Sequence, residues 1–178
     1  MRHTLKLLGV IGVLSVIFAF GTPERKIEKL ISKVWKGQTL ETMHVELPDT
    51  LKGMITSLQE VRLNGKKIGY ACYTTAFGCR VGGCSAPSTN ANVQSYETFD
   101  YIVVYDDKLN IKKIDIANYG GEYGYEICRA KWLQQFAGST SGFKLNENID
   151  GITGATVSAT FLIDDVNALG KVLTKLNL

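Results

Sequence analysis

Apolar residues recur at three- and four-residue steps near both ends of the chain and in shorter alternating runs between them. Ile27, Leu30, Ile31, Val34 and Trp35 share one face, the spacing of a helix that buries a single stripe. Thr22-Pro23 reads as the N-cap and first residue of that helix, and Gly37 as its stop. A second stripe, Val157, Phe161, Leu162, Val166, Leu169, Val172, Leu173 and Leu176, predicts a C-terminal helix. Between them an extended piece is expected around residues 43–47. Residues 59–63 and 67–75 flank Asn64-Gly65, a strong tight-hairpin signal. Residues 101–105 and 111–116 flank Asp106-Asp107 and predict a second hairpin. Residues 78–92, rich in Gly, Ser and Asn, read as a long loop. Residues 128–137 read as a short helix with Trp132, Leu133 and Phe136 inward, and residues 146–153 lead into the last helix. The expectation is an α+β fold, a mostly antiparallel sheet of hairpins flanked by N- and C-terminal helices.

The chain has 178 residues, enough for one domain with a sizeable core. Its first residues stand apart. Arg2 and Lys6 precede an apolar run over residues 7–20, and Ala19-Phe20-Gly21 has the small-x-small form of a cleavage site. Residues 1–21 thus read as a signal peptide or short membrane anchor, and residues 22–178 as a single domain. The run falls short of the roughly 20 residues a spanning helix needs, and no cysteine follows it to support a lipoprotein signal. An exported location follows, periplasmic or on the outer face of a membrane. Without Arg2 and Lys6 the formal charge falls from +3 to +1, a balance that calls for no nucleic-acid partner.

Several chemistries lack their residues. His44 is the only histidine beyond the leader, and there is no C-x-x-C-H, P-loop, G-x-G-x-x-G or nucleophile elbow. Cys72, Cys79, Cys84 and Cys128 lie in the exported part. An even count in an oxidising compartment points first to structural disulfides, with three pairings open. A redox-active pair is the next reading; a metal site is the last, since the spacing matches no zinc or ferredoxin pattern.

The most informative segment is Asp150-Gly151-Ile152-Thr153-Gly154-Ala155-Thr156. Small residues surround a threonine hydroxyl just ahead of a helix, where unpaired backbone N–H groups favour a phosphate. The bland alternative is a turn and N-cap built from Asp150, Thr153 and Thr156. The heptad resembles the D-x-x-[ST]-G-A-T signature at which a flavin transferase attaches FMN through a phosphodiester to the final threonine, here Thr156. More loosely, residues 69–173 resemble the FMN-binding domain family, found in the G subunit of Rnf complexes and the C subunit of sodium-translocating NADH:quinone reductases.

That resemblance implies covalent FMN on Thr156, with Asp150, Thr153, Gly154 and Ala155 as the transferase recognition site. It implies partners among membrane electron-transfer proteins and a carrier role more than a stand-alone enzyme. In the family a Glu-Thr-Pro-Gly-x-Gly-like segment lies near the flavin. Gly121-Glu122-Tyr123-Gly124-Tyr125-Glu126 stands in the corresponding place, which makes Glu122, Tyr123 and Gly124 candidate cofactor contacts. Its proline is absent and two tyrosines appear. Tyr119, Tyr123 and Tyr125 are candidates to touch the flavin ring, whereas Trp35, Trp132 and Phe136 read as core. The alternatives are a cofactor-free, disulfide-stabilised binding module, or a flavin-dependent reductase with its own substrate.

Overall fold

A computed structural model describes residues 22–82 and 96–176. The leader, residues 1–21, lies outside the described residues, as do Cys84 and most of the glycine-rich stretch.

The α+β expectation holds. Five antiparallel strands run in the order of the chain: β1 (Leu40–His44), β2 (Ser57–Leu63), β3 (Lys66–Arg80), β4 (Tyr96–Asp106) and β5 (Ile111–Tyr119). The Asn64-Gly65 turn joins β2 to β3 with both residues at positive φ, 52° and 75°, the twist a tight hairpin needs. Between β4 and β5, Asp106 Oδ1 accepts the N–H groups of Lys108 and Asn110 at 3.0 and 2.8 Å and holds that turn locally.

Both faces of the central strands are covered. Helix α1 (Pro23–Val34) lays Ile27, Leu30 and Ile31 on Val61, Ala71, Tyr73, Ile102 and Val104. The alternate residues, Tyr70, Cys72, Tyr101, Val103 and Tyr105, face helix α3 (Thr156–Lys175) in the larger core. Period-two alternation sends successive side chains to opposite sides, so β3 and β4 read as nearly continuous apolar runs. Thr22 is the N-cap of α1, but its side chain makes no capping bond.

Three boundaries differ from the sequence reading. First, β3 continues five residues past Thr75 into the glycine-rich stretch, because β4 supplies a partner as far as Tyr96, with a bulge between Phe77 and Arg80. Second, β1 starts at Leu40 and ends at His44, earlier than expected, where it pairs with Leu63 through Gln59. Third, the helix expected at 128–137 is a series of short turns: 3₁₀ Tyr125–Cys128, α2 (Ala130–Leu133) and 3₁₀ Gln134–Phe136. Trp132, Leu133 and Phe136 are buried there as expected.

The stripe of α3 is also rotated. Ser158, Ala159, Ile163 and Gly170 are buried beside Leu162, Val166, Leu169 and Leu173, while Val157 and Phe161 are only half-buried. Small residues allow the close approach. A methyl group at Gly170 would fall 2.1 Å from the Thr140 carbonyl oxygen. Among the described residues no helix is long and apolar enough to cross a membrane.

Candidate functional site at the start of the last helix

The heptad is pinned at both ends and open in the middle. Asp150 is held by its backbone: its N–H donates to Gln135 Oε1 (2.9 Å), and its carbonyl accepts the Trp132 indole N–H (2.8 Å). Ile149 and Ala155 are buried, whereas Asp150, Thr153, Gly154 and Thr156 are exposed. Between the anchors the chain turns at Gly154, φ +87°, a conformation glycine adopts without strain.

Thr156 is the first residue of α3, and the cap position falls on Ala155. No side chain caps the helix, so the N-cap role open to Asp150, Thr153 or Thr156 is not taken up. The N–H groups of the first turn are left to another acceptor, at the positive end of a twenty-residue helix. Nearby hydroxyls are engaged: Thr160 Oγ1 donates to the Thr156 carbonyl (2.9 Å), and Ser158 Oγ is buried 3.1 Å from Tyr119 Oη. The Thr156 hydroxyl has no such partner among the described residues and is exposed.

The glycine segment comes to the same place. Gly124, φ +86°, packs against Ser158, and Tyr119 Oη donates to the Tyr123 carbonyl. Glu122 N–H donates to Glu97 Oε1 at 3.3 Å. The structure therefore brings Gly124 to the helix start but leaves the side chains of Glu122 and Tyr123 exposed. Tyr119 is committed to the fold, stacked on Phe99 with ring centroids 5.5 Å apart. Burial is the main reason its hydroxyl is pushed above its ordinary pKa; neighbouring Glu97 adds to this and the Ser158 bond opposes it.

Residues not singled out from sequence complete the surroundings. Glu126 Oε1 stands 3.2 Å from where a Gly154 Cβ would lie, and its Oε2 is buried without a partner among the described residues. Glu97 Oε2 is likewise buried and unpartnered. Buried acceptors of this kind call for donors. On the other flank of α3, Phe161 packs with Phe77 and Tyr96 at centroid distances of 5.9 and 5.3 Å. Glu126 lies in the glycine segment and was in principle findable. The aromatic group depends on strand register and had no local signal.

Three of the four cysteines fall within the described residues. Cys72 is a free thiol, fully buried between the sheet and α3, and Cys128 is a free, exposed thiol. Among the described residues, neither is joined in a disulfide. Alternation on β3 turns Cys72 into the core. Cys79 is buried on the same strand. Among the described residues no cluster of three or more His, Cys, Asp or Glu could hold a metal ion.

An uncapped helix start, small neighbours at Gly154 and Ala155, and one outward threonine hydroxyl fit a phosphodiester at Thr156. The unpartnered Glu126 oxygen fits a hydroxyl-bearing chain beside it. Comparison with known protein families and with curated proteins finds no match.

Proposed function

We propose that this protein is an exported flavoprotein electron carrier, with FMN joined to Thr156 by a phosphodiester. One observation carries the reading: the last residue of the D-G-I-T-G-A-T heptad opens α3, exposed and unbonded, at a helix end without a cap. The bound flavin would supply the redox chemistry, and the protein would hold and tune it.

The chain's own groups have definable parts. Backbone N–H groups of the first turn of α3 would stabilise the phosphodiester charge. The Glu126 carboxylate on the inner side of Gly154 would repel that charge, favouring the outward side where Thr156 is exposed. Its unpartnered oxygen would accept from ribityl hydroxyls. Gly154 and Ala155 would let a flavin transferase close over the hydroxyl, with Asp150 and Thr153 flanking it in the recognition segment. Gly124 would hold the loop of Glu122 and Tyr123 beside the site. Thr156 would act once, in maturation. Electrons would pass to and from membrane electron-transfer proteins, with the leader placing the domain outside the cytoplasm.

Denaturing gels test the attachment. Wild type made with a flavin transferase should carry in-gel flavin fluorescence, and Thr156→Ala should carry none. Thr156 is exposed and unbonded, so this substitution should change stability by no more than about 0.5 kcal/mol. Fluorescence retained in Thr156→Ala would refute the site.

A further inference from the structure

We propose that the isoalloxazine ring of a flavin fixed at Thr156 is seated in the cavity between β3 and α3, against Phe77 and Phe161. The proposal rests on the attachment argued above. The cavity holds about 550 Å³, within the roughly 300–1,000 Å³ of small-molecule sites. Ala76, Phe77 and Phe161 line its apolar part, and Thr98, Asp164 and Asp165 its polar part.

The aromatic rings are placed as a stacking surface would be. Phe77 is 56% exposed, next to the buried Ala76, and it packs with Tyr96 and Phe161 at 6.0 and 5.9 Å. An aromatic ligand laid on this group would cover apolar area now facing water. The lining also matches the two ends of the ring system. The dimethylbenzene end is apolar, whereas the pyrimidine end carries one N–H donor and two carbonyl acceptors. The Asp164 and Asp165 carboxylates can accept from the donor, and the Thr98 hydroxyl can donate to a carbonyl.

The tether reaches. Phe161 follows Thr156 by five residues on one helix, about 7.5 Å along the axis and about 140° around it. Thr160 and Asp164 lie exposed between those directions, and Val157 is half-buried. An extended phosphoribityl chain can cross that open face. The competing seat is the loop of Tyr123 and Tyr125. Those side chains are 46% and 59% exposed, but neither forms a ring pair among the described residues.

Tyrosine quenches flavin emission by electron transfer at short range, so Tyr96 is the reporter. Wild type, Tyr96→Phe, Tyr123→Phe and Tyr125→Phe would each be made with a flavin transferase and checked by mass for covalent flavin. Emission would be compared with that of the same protein after complete proteolysis. The expected result is quenched emission in wild type, a several-fold rise in Tyr96→Phe, and no change in the other two. Phe161→Leu should keep the covalent flavin and alter its visible circular dichroism. Attached flavin that is unquenched in wild type, or is released by Tyr123→Phe or Tyr125→Phe instead, overturns the seat and leaves the attachment standing. Absence of covalent flavin in wild type overturns both.

Discussion

A methyl group built on Gly124 would lie 2.3 Å from Ser158 Oγ and 2.7 Å from Tyr119 Oη. The loop before the 3₁₀ turn and the first turn of α3 meet there with no room for a side chain. Gly124 also has φ +86°, which costs an L-residue roughly 1–2 kcal/mol. With overpacking added, Gly124→Ala should lose about 2–4 kcal/mol in urea unfolding. Adding Ser158→Ala should recover part of that loss, because the nearest clashing atom is gone while Tyr119 Oη remains. Strictly additive losses would contradict this contact.

Gly154 makes a useful contrast. It shares the positive φ, but its nearest obstacle is the movable Glu126 carboxylate at 3.2 Å. Gly154→Ala should cost only the backbone strain, about 1–2 kcal/mol, by the same unfolding assay. A loss larger than that of Gly124→Ala would refute this ranking.

Asp165 supplies a pH signature. Burial raises its pKa above the ordinary Asp value, and the hydrogen bond from Tyr101 Oη works against that shift. The folded protein therefore keeps this proton to higher pH than the unfolded chain does. The contribution favours the fold fully below the unfolded value and is lost as pH rises through the folded one. Asp165→Asn keeps an acceptor for Tyr101 and removes the charge. Measured between about pH 4 and pH 7, the variant should gain stability relative to wild type as pH rises. Parallel stability curves would show that Asp165 does not titrate differently on folding.

Thiol labelling checks the cysteine assignment. Cys128 is exposed, so iodoacetamide should modify it in the native protein, though slowly near neutral pH, since partial desolvation of its thiol and nearby Asp115 and Glu126 raise its pKa. Cys72 is fully buried, and burial pushes its thiol far up. It should react only after unfolding. Peptide mass mapping separates the two, and native labelling of Cys72 would contradict its place in the core.

Much of this architecture was readable from short-range pattern. Asn64-Gly65 marked its hairpin because only a few residues accept its dihedral angles, and the α1 stripe marked its buried face. Gly124 and Thr156 were both named from motif, and the fold brings their elements together. What escaped depended on partners distant in the chain. Residues 78–80 look like loop, yet β4 turns them into strand. Ser158 and Gly170 look polar or helix-weakening, yet close approach to Tyr119 and Thr140 requires their small size. Phe77, Tyr96 and Phe161 meet only through strand pairing and the packing of α3. No local signal joins them.

The central claim is a covalent bond at one hydroxyl, and the tryptic peptide spanning residues 145–171 contains it. Protein made with a flavin transferase should yield this peptide heavier by one FMN less one water, with fragment ions placing the added mass on Thr156. An unmodified peptide under those conditions, or added mass on Thr153, would contradict the account.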